Sequence, residues 1–397
     1  MNIIYYILFL SIIFLLIIVY LIVILYIKFT YHFWSKQPVF HYYNLLYWIN
    51  PSGVINEELP LVNKYCNFKN INTTTYDKLN DVDKQNIVNF LKTNYLRTNH
   101  ANYLPTEKSF ASYFENNSFD SYISLYNEEK FLIDYATNDT IDSTEIISVM
   151  TSRPLYVTMR KNKITIPVYY VDNLCVQQLY RNKNIAPQMI QTHEWFQRQK
   201  NKNIKVSLFK REGKLNGIVP LTVYNTHAYK KITVYRLKDP RMAVVLVTNG
   251  TIYLLMDFIK ENISKFECTI TPHIGNLTHL IKNKIIYVYL LKSDNNIVSC
   301  YFFKNTFSTY HKKPLIELTS SISNCPYAEM FYKGFTNAYY MICREIKTKY
   351  IIIENISHNN LIVDRIHKNQ IEISPTAFFL YNYVSYSFKP EKIFCIY

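Results

Sequence analysis

The stretch that decides the fold runs from Leu174 to Pro187 and reads LCVQQLYRNKNIAP. An apolar run, residues 164–171, leads into it, and a helical pattern begins at Pro187. Two cations, Arg181 and Lys183, lie at the junction. Backbone N–H groups at a helix N-terminus, the helix dipole and a cationic rim together suit a pyrophosphate. The stretch therefore predicts a strand–loop–helix unit that holds a phosphate-bearing ligand.

The loop within this stretch resembles the acyl-CoA loop of N-acetyltransferases. Arg181, Asn184 and Ala186 have its spacing, with Asn184 where a glycine usually stands. Asn tolerates the left-handed backbone conformation better than most residues, and Pro187 suits a first helical turn, where its missing N–H costs nothing. The predicted acyl-CoA contacts are Arg181, Asn182, Lys183, Asn184, Ile185 and Ala186.

The same block resembles a narrower family, the eukaryotic protein N-myristoyltransferases. Their sequences carry EINFLCVHK and then KLRSKRLAP without a gap, and the chain coincides with this block at Leu174, Cys175, Val176, Arg181, Lys183, Ala186 and Pro187. Residues 33–39, FWSKQPV, are similar to the family's FWxTQPV, and residues 378–383, FFLYNY, are similar to its YYLYNW. The blocks occur in the family's order and extend over essentially all of residues 33–397.

The resemblance implies an α/β (α+β) fold with two N-acetyltransferase-like halves related by a pseudo-twofold axis. We expect an acyl-CoA-binding half at 29–228 and a peptide-binding half at 229–397. Periodicity alone predicts only a mixture of helices and strands, in one or two domains. It places helices at 81–95, 187–200 and 327–346, and strands at 146–159, 163–171, 286–292, 297–303, 350–354 and 377–387.

The resemblance also implies an activity, the transfer of a fatty acyl chain from CoA to the N-terminal glycine amine of a peptide. Myristoyl-CoA is the implied co-substrate, and no metal is implied. The backbone amides of Asn173 and Leu174 match the family's oxyanion hole, and Phe33 and Trp34 match positions that add contacts to CoA. The family's base is its C-terminal carboxylate, which here belongs to Tyr397, so we expect the side chain of Tyr397 to matter little.

Several positions depart from the family. Asp172 replaces an Asn before the oxyanion hole, where it could bond the substrate ammonium, and Gln177 and Gln178 replace His-Lys. The family's glycine-rich KFGxGDG falls on residues 368–374, which contain no glycine. Two alternatives therefore stay open: an N-acyltransferase with another acyl or amine specificity, and a catalytically degenerate membrane scaffold.

Residues 3–27 are apolar or aromatic apart from Ser11. At about 1.5 Å per residue they span a hydrocarbon core of about 30 Å. The run is longer than the apolar core of a signal peptide, and neither a basic segment before it nor a small-residue cleavage site is present. A transmembrane anchor at 1–28 is predicted. Lys28 and Lys36 follow it and no cation precedes it, so we expect the body in the cytosol.

The chain has 44 Lys and Arg against 29 Asp and Glu, a net charge of +15. This charge suits CoA phosphates or anionic membrane lipid. The cations form no dense run, so no nucleic-acid partner is expected. The 7 cysteines are scattered, without metal-binding spacing, which fits a reducing compartment. The composition is typical of an A/T-rich genome, such as that of a large DNA virus or a protist.

Overall fold

A computed structural model describes residues 2–98, 100–133, 140–161, 163–213, 217–366 and 368–397. Its helices are α1 (Asn2–Thr30), α2 (Leu45–Ile49), α3 (Asp81–Asn94), α4 (Glu107–Ala111), α5 (Ile185–Lys200), α6 (Ile252–Asn262), α7 (Ile274–Lys282), α8 (Ala328–Ile346) and α9 (Asn360–Val363). Its strands are β1 (Gly53–Val54), β2 (Ile71–Thr75), β3 (Ala101–Tyr103), β4 (Tyr122–Ile133), β5 (Thr140–Met159), β6 (Ile164–Val176), β7 (Val206–Glu212), β8 (Thr222–Lys230), β9 (Met242–Leu246), β10 (Cys268–Thr271), β11 (Ile286–Ser293), β12 (Asn296–Tyr310), β13 (Lys313–Ser323), β14 (Tyr350–Glu354), β15 (Gln370–Tyr381), β16 (Tyr383–Val384) and β17 (Ile393–Cys395).

Two successive units of the chain have the same plan. In the first, β4, β5 and β6 pair antiparallel, α5 crosses over, and β7 returns parallel to β6. In the second, β11, β12 and β13 pair antiparallel, α8 crosses over, and β14 returns parallel to β13. This repetition agrees with the two-halved α/β architecture expected from the sequence.

The two units share one large sheet. Strand β15 lies between β7 of the first unit and β8, and β8 pairs with β14 of the second unit. Strand β8 also runs across residue 228, where the sequence places the division between the halves. The exact division stays a prediction, because strand pairing is continuous across it.

The expected elements are present, with shifted ends. Helix α5 begins at Ile185 instead of Pro187, which leaves the proline within the first turn. The strand expected at 377–387 begins earlier, at Gln370, and ends at Tyr381. The expected range covers only its buried second half, Ala377–Tyr381, whereas residues 370–373 are exposed. Ile371 and Ile373 alternate with polar residues, which is a strand pattern that the expected range left out.

Helix α1 is exposed over its apolar span, Ile3–Thr30. A helix that belonged to the core would be mostly buried, so that reading does not apply. Near its C-terminal end Ile27 is buried, and a Cβ added to Gly217 would come within 3.0 Å of two Ile27 side-chain carbons. The body therefore contacts α1 in its C-terminal part, at Ile27 and at Tyr20, whose hydroxyl donates to the Tyr43 carbonyl.

Candidate active site

The sequence blocks that carry the family resemblance converge on one pocket. Trp34 lines it from the first block, Asp172, Asn173 and Leu174 from the middle block, and Tyr381 from the last. Its volume is about 220 Å³. Residues hundreds of positions apart in sequence thus contribute to a single cavity, which makes it the candidate active site.

Direct hydrogen bonds join the first and last blocks. The Tyr381 hydroxyl donates to Gln37 Oε1 at 2.8 Å, and the Asn382 backbone N–H donates to the Pro38 carbonyl at 2.7 Å. Asn382 has φ of +63°, and its side-chain amide also holds the backbone of Asn56. Gln37 and Asn382 thus contribute through their side chains, and Asn382 also through its left-handed backbone, whereas Pro38 contributes its carbonyl.

The predicted acyl-CoA loop opens onto a second groove of about 570 Å³, lined by Arg181, Asn182 and the start of α5. Asn184 has φ of +59°, the left-handed conformation expected in place of a glycine. Its side chain does not cap α5, and no acidic residue lies in the first helical turn. The positive end of the helix dipole therefore faces the groove uncovered.

Both loop cations are exposed, and Arg181 lines this groove. Arg181 Nε donates to the Val176 carbonyl at 3.2 Å, and Lys183 Nζ lies 4.7 Å from the centroid of the Tyr180 ring. Tyr95 and Leu174 line both the groove and the central pocket. The two cavities are therefore neighbours, with the phosphate-suited rim at one end and the apolar interior at the other.

A β-bulge forms the boundary between these cavities. Strand β6 pairs Asp172 with Thr151 and Cys175 with Val149, so Asn173 and Leu174 together oppose a single residue of β5. Asn173 has φ of +52°. A bulge turns backbone groups out of the ladder and is common beside active sites.

One of the two predicted oxyanion donors is engaged in this conformation. The Asn173 backbone N–H donates to Asp172 Oδ1 at 2.8 Å, and the Tyr95 hydroxyl donates to the same oxygen at 3.3 Å. Asp172 therefore orders the bulge. A thioester oxygen could use the Asn173 amide only if the Asp172 carboxylate moved away.

The Phe33 and Trp34 rings meet edge to face in the turn that follows α1, with centroids 5.2 Å apart, but each has a different further neighbour. Trp34 stacks on Phe209 with ring centroids 5.3 Å apart, while Phe33 meets the Tyr65 ring edge-on at 5.2 Å. Only Trp34 lines the central pocket, and neither residue lines the groove beside the loop. Trp34 is therefore placed to meet an acyl chain, and its CoA contact stays a prediction.

The C-terminal segment is docked inside the fold. Strand β17 pairs parallel with β10, and Ile393 through Tyr397 are all buried. The Tyr397 ring lies between Tyr170 and Phe378, each with its centroid 5.5 Å away. This apolar C-terminal segment is thus held in the core.

A buried charged cluster surrounds Tyr397, and the sequence analysis did not predict it. The Lys210 ammonium, which lines the central pocket, forms an ion pair with Glu354, approaches Glu317 at 3.5 Å and donates to the Tyr397 hydroxyl at 2.7 Å. That hydroxyl in turn donates to Glu354 Oε1 at 2.6 Å. The Lys304 ammonium lies 4.6 Å from the Tyr397 ring centroid. The sequence signal is a single acidic residue within or at the end of an apolar stretch of strand, as at Glu317 and Glu354.

Burial and mutual attraction set the charges in this cluster. Burial lowers the pKa of Lys210, but Glu354 and Glu317 outweigh it and raise that pKa well above its ordinary value. Burial also opposes ionisation of Glu317, but Lys210 and Lys304 lower its pKa. Burial raises the pKa of Glu354 to about 7, in spite of Lys210. A fixed cation therefore faces the pocket, and behind it lies a carboxyl whose ionisation burial opposes.

A neutral histidine completes the pocket wall on α5. His193 is fully buried, and its two ring nitrogens bond Ser124 and Ser152, each at 2.8 Å. Burial lowers its pKa to about 3. Neighbouring Glu194 also lines the pocket, and burial raises its pKa to about 7. The far wall of the pocket is thus polar but largely uncharged.

The fold and the pocket can be compared with known proteins. No protein-family model matches the sequence, and none of the curated proteins matches it. The crystal structure of Saccharomyces cerevisiae N-myristoyltransferase with bound myristoyl-CoA does match, with a TM-score of 0.65 over 90% of this chain and 94% of that chain. The chain has the N-myristoyltransferase fold.

Two further structures of the yeast enzyme agree. One has bound myristoyl-CoA and the other has myristoyl-CoA and inhibitors, and both give a TM-score of 0.66. The first match covers 91% of this chain and the second 90%, and each covers 90% of the yeast chain. Sequence identity is 14% in the first comparison and 13% in these two. At such identity the comparison shows the fold.

The N-myristoyltransferase fold is kept where the glycine-rich motif is lost. Residues 370–374 form the first part of β15 and pair with β8. Asn369 has φ of +66° and donates from its side chain to the Lys231 carbonyl at 2.9 Å. Ordinary strand pairing thus replaces the glycines, and a close backbone approach that only glycine allows is not available there.

Proposed function

We propose that this protein is a membrane-anchored acyl-CoA:protein N-acyltransferase that transfers a fatty acyl chain, myristoyl in the first instance, from CoA to an N-terminal glycine amine. The observation that carries the proposal is the pair of adjoining cavities. An open helix N-terminus with Arg181 faces one, and Lys183 is exposed two residues further along the same loop. The bulge at Asn173 and Leu174 separates the two cavities, and the other is a largely apolar pocket.

In the proposed reaction, the free amine attacks the thioester carbonyl carbon and the carbon–sulfur bond breaks to release CoA. The developing oxyanion would take hydrogen bonds from the amides of Asn173 and Leu174, once Asp172 releases the first. The amine must lose a proton. The Tyr397 α-carboxylate is our candidate acceptor, since a free α-carboxyl has a pKa of about 3.5 and is ionised at neutral pH.

The protein's other proposed contacts follow from this scheme. The loop from Arg181 to Ala186 would bind the CoA phosphates, and Trp34 would contact the acyl chain. Substrate peptides and membrane lipid are the expected partners. Helix α1 would place the body beside a membrane, with the body on the cytosolic side, where acyl-CoA is available.

A second candidate is a non-catalytic descendant, or an acyltransferase for another amine. Three observations favour it: Asp172 occupies the Asn173 amide, Lys210 puts a cation in the pocket, and β15 replaces the glycine-rich motif. A buried ammonium repels a second ammonium, so a cationic peptide terminus would bind less readily.

Purified full-length protein in liposomes distinguishes these candidates. We expect myristoyl-CoA to raise the melting temperature more than acetyl-CoA does, and release of free CoA to depend on added peptide with an N-terminal glycine. A matched peptide that begins with alanine is the control. Binding without transfer to any amine would support the scaffold, and no binding of either acyl-CoA would refute both enzymatic readings.

A further inference from the structure

The segment that follows α1 is unusually free of charge. Residues 37–56 contain no Asp, Glu, Lys or Arg, although these residues make up 18% of the chain. In the middle of this segment lies α2, Leu45–Ile49, whose large apolar side chains face outward. Leu46 is 80% exposed and Ile49 is 77% exposed, and Leu45 and Trp48 are exposed as well.

One side of α2 is fixed to the body, so its exposed side has a defined direction. Tyr47 packs against Phe40 with ring centroids 5.8 Å apart, in a small cluster with Val219 and Val384. Trp48 Nε1 donates to the Tyr42 carbonyl at 3.1 Å. The indole N–H is therefore satisfied internally, and the ring can enter an apolar medium without an unpaired donor.

A contact with α1 sets the level at which this apolar face lies. The Tyr20 hydroxyl donates to the carbonyl of Tyr43, at 3.0 Å. From Ile3 to Tyr20 the helix rises about 26 Å at 1.5 Å per residue, close to the thickness of a hydrocarbon core. If the core begins at Ile3, Tyr20 lies near its far edge, and the apolar residues 21–27 extend from there into the interfacial layer.

We infer that α2 and its exposed apolar residues insert into the interfacial layer of the same bilayer that α1 crosses. The inference rests on the proposed membrane anchoring and on no step of the acyl transfer. Apolar and aromatic side chains without charges are favoured at this depth, and Tyr and Trp are enriched there. Lys28 lies eight residues beyond Tyr20 on α1, about 12 Å farther toward the water.

A bilayer fits this face better than a protein partner does. A partner protein would have to bind beside α1 within the lipid headgroups, whereas lipid surrounds a spanning helix on every side that the body leaves open. The crossing of the bilayer by α1 and the insertion of α2 together orient the body. Trp34, four residues after the end of α1, lines the central pocket, so that pocket would lie close to the membrane surface.

Depth-dependent fluorescence quenching tests this inference. Full-length protein is reconstituted in phosphatidylcholine–phosphatidylserine liposomes whose acyl chains carry bromine near the headgroup or near the chain end. We expect Trp48 emission, isolated as the difference between wild type and Trp48→Phe, to be quenched severalfold more by the shallow bromines. Trp34 and Trp195 remain in both proteins and cancel in the difference.

Two Trp substitutions in a Trp48→Phe background provide a matched comparison. We expect Leu46→Trp to be quenched in the same way and Tyr327→Trp, at a residue 74% exposed in the second half, to be unaffected by brominated lipid. Quenching of neither would overturn the inference, and so would equal quenching of both. Shielding of the Leu46→Trp indole from aqueous acrylamide without quenching by bromine would also overturn it, in favour of a protein partner or a second copy. No outcome depends on catalysis, so failure of the proposed activity leaves this test intact.

Discussion

At the scale of single residues, the first prediction concerns Arg181 and Lys183. Replacing both by Ala should weaken acyl-CoA binding roughly a hundredfold, because each loses a charge-assisted hydrogen bond to phosphate. The difference in acyl-CoA affinity between the wild type and the double variant should shrink as the salt concentration rises. Isothermal titration at two salt concentrations measures it. Lys202→Ala, an exposed cation just beyond the other end of α5, is the control and should bind normally. An unchanged affinity in the double variant would mean that the loop has only a structural role.

Two separate predictions concern Tyr397, one for its α-carboxylate and one for its side-chain hydroxyl. Extending the chain beyond Tyr397 moves the free carboxylate out of the site, and loss of a positioned base typically costs about 10²–10⁴-fold in rate. Acyl-CoA binding should persist, because Tyr397 does not line the groove beside the loop. Single-turnover rates and binding measured on the same sample check both points. A folded, extended protein that turned over at the native rate would exclude this base.

The side chain of Tyr397 matters more than the sequence led us to expect. Tyr397→Phe removes the donor to Glu354 and the acceptor for Lys210. The Lys210–Glu354 ion pair remains, but losing a hydrogen bond to a buried charged group costs about 1.5–3 kcal/mol. We therefore expect a lower free energy of unfolding together with normal base function, and chemical denaturation in detergent measures it. Tyr327→Phe, at an exposed tyrosine, is the control.

His193 should make stability depend on pH. Its pKa is about 3 in the fold and near 6.5 when unfolded, so its contribution is complete above pH 6.5 and is lost as the pH falls toward 3. Between pH 7.5 and 5.0 the loss amounts to about 2 kcal/mol. Over this pH interval, the free energy of unfolding of His193→Gln should therefore fall by about 2 kcal/mol less than that of the wild type. Denaturant unfolding at both pH values measures it. Parallel pH profiles would contradict neutral burial of His193.

At the scale of elements, α8 packs closely on the sheet because it has a glycine at its contact. A Cβ on Gly334 would lie 2.5 Å from the Tyr301 hydroxyl and 2.7 Å from a Leu291 methyl group. The Tyr301 hydroxyl is held by the Phe331 carbonyl at 2.7 Å and cannot easily move. Gly334→Ala should therefore destabilise the protein by about 2 kcal/mol, even though Ala favours helices.

The matched control for this helix is Gly250→Ala, where the nearest atom to the added Cβ is 4.0 Å away. Thermal unfolding of both variants in the same detergent compares them. We expect Gly250→Ala to melt within a degree or two of wild type. If Gly334→Ala melted equally high, the close packing of α8 on β11 and β12 would be wrong.

At the scale of the whole molecule, topology is the prediction on which access to acyl-CoA depends. Cations follow α1 and none precedes it, so the body should face the cytosol. Protease added to sealed microsomes should digest the body and leave a protected fragment that contains α1. The opposite result, a protected body with glycans at exposed sequons such as Asn116 and Asn249, would reverse the orientation and remove the supply of cytosolic acyl-CoA.

Part of the site was accessible from sequence because it is local. The phosphate loop is a continuous segment in which Asn184, the following helix and two cations lie within a few residues of one another. The cluster of Lys210, Glu317 and Glu354 was not accessible. Its members belong to β7, β13 and β14, and only the order of strands in the sheet makes them neighbours.

The sequence by itself determined the features that depend on short-range pattern. These are the length and apolarity of α1, the alternation of helices and strands, the left-handed Asn184 and the apolar C-terminal segment. Only the tertiary structure decided that three distant blocks line one pocket, that Asp172 occupies the Asn173 amide, and that α2 lies beside Tyr20. The physical reason is that backbone periodicity depends on residues close together in the chain. Burial, ion pairing and the position of a surface relative to the membrane depend on contacts between residues far apart in the chain.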